Sequence, residues 1–310
     1  MSILRKSRIL CIVMILALVA TVIAPIGSFT AFAGDVGTYG DFTYAYSCDE
    51  ITILEYNGSG GDVVIPSTID GYPVVGVESE AFFDNDTITS VSMPSVLTIG
   101  DSAFESCDNL VSVSMPSVVT IGEYAFDSCH ELTTADMPNV ETISYEAFDY
   151  CYKLENVDIL KVTTIDTYAF YECYALTEFN APNVVSLGNS VFYGCESLVS
   201  IDLPKVLFVD ADTFKYCYAL ESVNLPSVEI IGETAFYDCS SLEKIIMPNV
   251  HTIYYAAFSG CPSSMTIYGY SGTFAETFAN ERGFNFSPMS VWTVTLNNDG
   301  AVTTQTVADG

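Results

Sequence analysis

The stretch AFDSCHELTTADMPNVETI, residues 125–143, decides the fold because its pattern recurs every 22 residues. Phe126 lies three residues before Cys129, Leu132 lies three residues after it, and a proline and two apolar residues follow. The cysteines that share this spacing are Cys107, Cys129, Cys151, Cys173, Cys195, Cys217, Cys239 and Cys261. A period of this length is typical of a solenoid, in which no unit buries its apolar face alone and stacking creates the core.

A further unit upstream carries asparagine in the cysteine position. Asn85 cannot form a disulfide and is no soft-metal ligand, but it is small and can hydrogen-bond backbone groups at a turn. We therefore expect a structural ladder of Asn85, Cys107, Cys129, Cys151, Cys173, Cys195, Cys217, Cys239 and Cys261. Scattered disulfides and a metal site remain as less favoured alternatives, since ladder side chains point in parallel and no paired CxxC spacing occurs. A Cys129–His130 nucleophile pair is disfavoured because the other seven units lack the adjacent histidine.

The pattern predicts a leucine-rich repeat solenoid with a parallel β-sheet on one face and caps at both ends. Leu110, Val113 and Met115 bracket one short strand of that sheet. Residues 123–127 are expected to form a single helical turn, and a second extended stretch around Val118 and Ile121 the opposite side of each coil. Side chains five and seven residues after each cysteine should then face solvent.

Five segments are predicted along the chain. Residues 1–33 form a secretory signal peptide, with three basic residues before an apolar run at 9–26 and cleavage after Ala33; an uncleaved membrane anchor is the alternative. Residues 34–77 form an N-terminal cap with the opening unit, and 78–262 hold nine repeats. Residues 263–287 form a C-terminal cap, whose helix a capping box at Thr273 and Glu276 opens and Gly283 stops. Residues 288–310 begin a further β module or are a stub.

The charge balance restricts the classes of partner. Removing residues 1–33 removes three of nine basic residues and none of 39 acidic ones, which leaves a net charge of −33. Nucleic acid and anionic membranes are disfavoured partners, and cationic proteins or divalent ions are favoured, although the charge can also serve solubility alone. No later segment predicts a membrane span, so the mature chain is expected to be secreted or on the cell surface.

Two exposed columns are candidate ligand-binding faces, each of which can instead be a solvated or packed surface. The first, which we call the sheet-face strip, is Asp136, Asn156, Asp158, Glu178, Asn180, Asp202 and Asn224. It suits a sugar, a basic peptide or Ca²⁺, although nothing further in the sequence supports a cofactor. The second, the tyrosine flank, is Tyr150, Tyr152, Tyr171, Tyr174, Tyr193, Tyr216 and Tyr218. Asp136 and Asp158 could have glycosidase spacing, but an open strand offers a carboxyl little desolvation.

With these units assembled, residues 40–287 resemble the BspA-like leucine-rich repeat proteins, which are bacterial surface proteins also abundant in some parasitic protists. The resemblance rests on several matched positions in nine units, with departures at Leu160, Val191, Thr213 and Ser264. It implies non-enzymatic adhesion to host proteins, other cells or glycans, and no catalytic residues. The tail from Val291 is similar to the opening strand of an internalin-type B-repeat module. The alternatives are a structural spacer in a modular surface protein and, more remotely, a secreted glycoside hydrolase.

Overall fold

A computed structural model describes residues 35–298 and 301–308. The predicted signal peptide at 1–33 lies outside the described residues. At the N-terminal end, β1 (Asp35–Tyr39), β2 (Phe42–Ser47) and β3 (Glu50–Tyr56) form an antiparallel meander. The Tyr56 ring stacks on Phe82 with 5.1 Å between centroids, so this meander covers the first open edge of the core.

Beyond the meander the chain winds into coils, and each repeat contributes one strand of three residues or more and one of two residues. The opening coil holds β4 (Gly61–Val64), β5 (Thr68–Ile69) and β6 (Tyr72–Val77). The repeats that follow contain β7 (Ile88–Ser92), β8 (Thr98–Ile99), β9 (Ser112–Ser114), β10 (Thr120–Ile121), β11 (Thr134–Asp136), β12 (Thr142–Ile143), β13 (Asn156–Asp158), β14 (Thr164–Ile165), β15 (Glu178–Asn180), β16 (Ser186–Leu187), β17 (Ser200–Asp202), β18 (Phe208–Val209), β19 (Ser222–Asn224), β20 (Ile230–Ile231), β21 (Lys244–Ile246), β22 (Thr252–Ile253) and β23 (Thr266–Gly269).

A helix and a strand end the solenoid. Helix α1 (Phe274–Arg282) stops at Gly283, whose positive φ of 77° places it in the left-handed region, as predicted. The predicted capping box does not form: Glu276 accepts the N–H of Gly272 at 2.7 Å and not that of Thr273, and the Thr273 hydroxyl donates to the Tyr270 carbonyl instead of capping the helix. Strand β24 (Asn285–Pro288) pairs with β23.

The tail forms a two-stranded antiparallel unit. Its strands are β25 (Val291–Asn298) and β26 (Ala301–Ala308). Its likeness to a B-repeat, like the five-segment division of the chain, stays a prediction. Among the residues that the structure describes, no helix is long and apolar enough to cross a bilayer.

Two sheets, built from parallel strands within the coils, line the solenoid. The first has 11 strands in the order β24-β23-β21-β19-β17-β15-β13-β11-β9-β7-β4. The second continues from the meander through β6, β8, β10, β12, β14 and β16, and is interrupted before a separate three-stranded piece, β18-β20-β22. The parallel-strand solenoid predicted from the sequence is confirmed.

The core is a set of columns in which equivalent residues stack one coil apart. Phenylalanine fills the widest column, with Phe104 and Phe126 stacked at 5.1 Å and Phe126 and Phe148 at 5.2 Å, all without solvent exposure. Each buried Phe side chain stabilises the fold by about 1.5–3 kcal/mol. The repeat period thus places like residues in contact, and the column is continuous from Phe82 to Phe258.

The third side of each coil differs from the sequence prediction, because residues 123–127 form a series of tight turns rather than a helical turn. Tyr124 and Ser128 have positive φ angles of 58° and 57°. Alternate residues donate backbone hydrogen bonds to the next coil, as from Phe104 to Ala125 and from Ser106 to Asp127, both at 2.8 Å. The left-handed residues aim these peptide groups along the solenoid axis, so the backbone bonds bind neighbouring coils and no helix forms.

Candidate functional site

The eight repeat cysteines lie in one column as free thiols, all of them buried except the half-buried Cys261. Each Sγ donates to the carbonyl of the phenylalanine 25 residues earlier, as from Cys129 to Phe104 at 3.1 Å. That carbonyl also accepts the N–H of Cys107 in its own turn, at 3.3 Å. Burial raises the pKa of Cys107 to about 12 and raises the pKa of Cys173 as well. These thiols are held as hydrogen-bond donors and are poor nucleophiles.

Asn85, the first member of the column, behaves differently. It is half-buried, and its Oδ1 accepts hydrogen bonds from the N–H and the hydroxyl of Thr87 within its own turn.

His130 does not contact Cys129, its neighbour in sequence, through its ring. Its Nδ1 lies 2.6 Å from Asp108 Oδ1, and its ring stacks on Tyr152 at 4.7 Å. The Cys129 thiol is committed to Phe104 on the inner side of the turn. The two side chains therefore point to different sides, and the geometry of a Cys/His catalytic pair is absent.

The sheet-face strip forms as a column of polar side chains on the first sheet, all exposed except the half-buried Asn224. Asn180 donates from Nδ2 to Asp158 Oδ1 at 3.1 Å, and Asn224 donates to Asp202 Oδ1 at 2.9 Å. Asp158 and Asp202 therefore each accept one hydrogen bond from a neighbouring amide, whereas Asp136 accepts no such bond from the residues that the structure describes. Between β11 and β13, where Asp158 follows Asp136 with no amide between the two carboxylates, one residue pair is in register, as also between β15 and β17, against three between β13 and β15.

The tyrosine flank forms a connected array of rings on the turn side of the solenoid. Tyr171 and Tyr193 stack at 4.5 Å, Tyr152 and Tyr174 at 5.0 Å, and Tyr150 meets Tyr171 edge to face at 5.7 Å. Tyr216 extends the array at 5.3 Å from Tyr193 and contacts Tyr218. The structure therefore brings together all seven tyrosines. Tyr174 and Tyr218 are exposed and the other five are half-buried.

Three tyrosines outside the predicted set lengthen the array to the N-terminal side. Tyr124 contacts Tyr145 at 5.4 Å, Tyr145 contacts Tyr168 at 5.9 Å, and Tyr168 contacts Tyr171 at 5.5 Å. These three tyrosines precede the phenylalanine of their units, whereas Tyr171 follows it. The backbone path through the turns brings these different repeat positions into contact. The Tyr174 hydroxyl also donates to Glu172, which places a carboxylate among the rings.

One cation already lies in this array. Lys215 Nζ lies 5.5 Å from the ring centre of Tyr193, 5.4 Å from that of Tyr216 and 5.7 Å from that of Tyr237. Its charge is balanced by Asp212 Oδ1 at 3.1 Å. The negative faces of aromatic rings attract cations at these distances. The flank thus has the chemistry to hold an ammonium or guanidinium group.

Two carboxyl groups, those of Asp127 and Asp149, lie beside the flank. They occupy the same repeat position as Tyr171, Tyr193 and Lys215, directly after the phenylalanine of each unit, in the two preceding coils. Asp149 is 5% exposed, and its Oδ1 has no hydrogen-bond partner. Burial, with Asp127 and Glu146 nearby, raises its pKa to about 8. Burial likewise raises the pKa of Asp127 to about 6, although the Ser128 hydroxyl donates to it at 3.1 Å.

A family comparison assigns this architecture. The profile of the "BspA type Leucine rich repeat region" matches residues 75–199 and 163–280, in six copies. The chain belongs to the BspA-type leucine-rich repeat family. The searched curated proteins contain no match to this BspA-type chain.

Solved structures of leucine-rich repeat proteins are similar to this BspA-type chain. A leucine-rich repeat protein of T. pallidum (TpLRR) is 28% identical, with 67% of this chain and 91% of that chain covered and a TM-score of 0.51. A leucine-rich cell surface protein of Faecalibacterium prausnitzii is 24% identical, with 83% and 95% covered and a TM-score of 0.51, and shows the fold alone. Neither name assigns an enzymatic activity.

Sequence reasoning missed Lys215 and Asp149 as parts of this BspA-type surface. Both stand directly after the phenylalanine of their unit, a column that reads Glu105, Asp127, Asp149, Tyr171, Tyr193, Lys215, Tyr237. Reading that column along the repeats would have shown three acidic residues followed by three tyrosines and one lysine. In the described part of the chain, no three His, Cys, Asp or Glu side chains are grouped to hold a metal ion.

Proposed function

We propose that this chain is a secreted or cell-surface ligand-binding module that acts as an adhesin, without enzymatic activity, and holds a cationic patch of a host or neighbouring-cell protein. The tyrosine flank is the proposed contact surface. Membership of the BspA-type family supports a surface role, and the net charge of −33 in the chain without residues 1–33 favours a basic partner.

The observation that carries this proposal is the position of Lys215 among three tyrosine rings. The same ring array continues past Lys215 to Tyr171, Tyr150 and Tyr152, and in the described part of the chain no other lysine lies over a ring. Tyrosine offers large rigid contact area and a hydroxyl at low entropic cost. A partner's lysine or arginine side chain on this part of the flank would meet rings together with the carboxylate of Glu172, much as Lys215 meets Asp212.

The sheet-face strip supports the proposal less strongly. Asp158 and Asp202 already accept hydrogen bonds from neighbouring amides, so a ligand would have to compete with bonds inside the column. Asp136 has fewer such constraints and could add to the attraction of a basic partner. We therefore propose the strip as a secondary contact, for a basic peptide or a glycan.

The surroundings of the acidic residues favour binding over hydrolysis. A glycosidase needs one carboxylic acid kept protonated by burial next to an ionised one. Asp136 and Asp158 are both exposed on an open sheet, which offers neither of them that burial. Asp149 is buried enough, but its neighbouring acid, Asp127, lies under the turns and not in an open cleft.

The test uses a triple variant that removes rings without disturbing the coils. Its changes are Tyr152→Ser, Tyr174→Ser and Tyr218→Ser. Each of these tyrosines directly follows the cysteine of its unit, and Ser240 occupies the same repeat position in the unit after Tyr218, so serine fits the coil there. The purified wild type, this variant and the strip variant Asp136→Asn/Asp158→Asn/Asp202→Asn are compared on immobilised matrix proteins and on a glycan array at two salt concentrations. Circular dichroism verifies that both variants keep the fold.

We expect binding to a basic protein that weakens at least tenfold in the tyrosine variant and less in the strip variant. Loss confined to the strip variant would move the site to the sheet face. Binding of glycans alone would change the ligand class. Identical binding by all three proteins would refute both surfaces.

A further inference from the structure

A groove with the opposite charge preference runs along the corner between the two sheets, away from the tyrosine flank. Leu160, Lys161, Asn183, Val185 and Lys205 line it, and its volume is about 570 Å³. Glu141 and Thr163 complete the wall. None of these residues belongs to either candidate face described above.

Two lysines give the groove a positive charge that its carboxylate neutralises only in part. Lys205 donates to Asn183 Oδ1 at 2.6 Å, and Lys161 donates to Asn139 Oδ1. Lys153 and Lys215, by contrast, pair with Glu131 and Asp212. The chain after residue 33 holds six basic residues, so a third of its positive charge stands at this corner. The single acidic wall residue, Glu141, offsets one of the two lysines at most.

Apolar side chains beside the lysines remain in solvent. Leu160 is 48% exposed and Val185 is 51% exposed. Leu207 and Phe208, in the coil after Val185, are 41% and 48% exposed. Other units carry proline where Leu160 stands, and threonine, serine or isoleucine where Phe208 stands. Neighbouring exposed apolar residues bordered by charge are typical of interaction surfaces.

The second sheet is interrupted at the same corner. Strands β16 and β18 lie in consecutive coils but do not pair, while β14 pairs with β16 and β18 pairs with β20. Near this junction Val191 and Thr213, both buried, stand in successive coils where most other units have alanine. Peptide groups that pair elsewhere in the second sheet therefore have no interstrand partner between β16 and β18.

We propose that this groove binds an acidic, proline-rich segment of a partner protein in polyproline II conformation. Lys161 follows β13 and Lys205 follows β17, and these strands lie two places apart in the first sheet, which is continuous here, so about 9.6 Å separates them at the usual strand spacing. Polyproline II has three residues per turn and a rise of about 3.1 Å, so acids at positions i and i+3 share one side about 9.3 Å apart. A β-strand offers about 6.6 or 13 Å on one side, which fits less well. Intervening apolar residues would cover Leu160 and Val185.

This proposal goes beyond the cationic ligand of the tyrosine flank, because it uses another face and a ligand of opposite charge. A polyanionic glycan would satisfy the lysines but leave the aliphatic wall uncovered. A second copy of the chain carries so large a like charge that long-range repulsion opposes it.

The test uses a fluorescent peptide of the sequence (Glu-Pro-Leu)₃ as the probe, with fluorescence anisotropy on the purified chain. The control peptides are (Gln-Pro-Leu)₃ and a block peptide of identical composition, Glu₃-Pro₃-Leu₃.

The groove variant is Lys161→Asn/Lys205→Asn. Asparagine fits the coil at this repeat position, because Asn139, Asn183 and Asn249 occupy it in other units. The matched control is Lys153→Asn/Lys244→Asn, which removes equal charge elsewhere. Leu160→Pro tests the apolar wall with the residue of the other units.

We expect (Glu-Pro-Leu)₃ to bind at least tenfold more tightly than either control peptide. The groove variant should lose at least tenfold in affinity, Leu160→Pro severalfold, and the matched control less than twofold. If both lysine variants lost the same affinity for (Glu-Pro-Leu)₃, binding would depend on net charge alone and the proposal would be overturned. Lysine-dependent binding of polygalacturonic acid without binding of the peptide would overturn it in favour of a glycan. Lysine-dependent dimers in sedimentation velocity would overturn it in favour of a second copy.

Discussion

The thiol of Cys151 donates a hydrogen bond to the carbonyl oxygen of Phe126, one coil back, across 3.2 Å. The same oxygen accepts the N–H of Cys129 at 3.3 Å, so one carbonyl joins two coils. Repetition of this arrangement explains why a weak donor of small volume recurs at this position. A larger side chain would displace the phenylalanine column, and an apolar one would leave the carbonyl with one bond.

Removing a central thiol should destabilise the solenoid. For Cys173→Ala, we expect a loss of about 1–3 kcal/mol in the free energy of unfolding, because Phe148 loses a buried hydrogen bond and a small cavity forms. The matched control is Cys261→Ala, at the half-buried end of the column, which should cost less. Urea unfolding followed by circular dichroism measures both. Equal losses in the free energy of unfolding for Cys173→Ala and Cys261→Ala would show that burial of the thiol does not set its contribution.

The buried thiols should resist alkylation in the folded protein. Burial raises the pKa of Cys129, Cys151 and Cys195, so little thiolate is available, and the thiols are inaccessible. Mass mapping after exposure to maleimide should find Cys261 modified first and these three unmodified until urea is added. Labelling of Cys151 in the native protein as fast as Cys261 would show that the turns open readily.

Asp149 should make stability depend on pH. Its folded pKa of about 8 lies above the ordinary value of about 3.9, so the folded state binds more protons between these values and stability falls as pH rises through that range. Asp149→Asn removes this loss, and we expect its urea midpoint to match the parent at pH 4 and exceed it at pH 9. Asp136→Asn, on the exposed strip, is the control. Parallel pH profiles for Asp149→Asn and wild type would be incompatible with a buried, unpaired carboxyl.

The amides of the sheet-face strip should separate like charges. Asn180→Asp would place carboxylates in four successive coils, since Asp136, Asp158 and Asp202 flank it. We expect a loss of about 0.2–1 kcal/mol at low salt, which should shrink as ionic strength rises. Thermal unfolding at 20 and 500 mM NaCl measures the effect, with Asn180→Ser as the neutral control. A loss that is independent of salt would point to the missing hydrogen bond to Asp158 instead of repulsion.

The sequence by itself determined the period, the core columns and the family, because residues at a fixed spacing of 22 must stack when every coil is alike. Phe126, Cys129 and Leu132 recur so regularly that their burial follows from the pattern. The strip residues were placed on one face for the same reason, since side chains in a strand alternate. The stop of the final helix at Gly283 followed from local preference.

Only the tertiary structure decided how the columns lie beside one another. Residues 123–127 lack a strong local preference, and their left-handed conformation is set by hydrogen bonds to the next coil, which the local pattern does not encode. The contact of Tyr168 with Tyr171, the cation among Tyr193, Tyr216 and Tyr237, and the groove of Lys161 and Lys205 all join different repeat positions or different coils. Such contacts depend on the path of the backbone around each corner, and the period fixes the stacking along the axis but leaves that path undetermined.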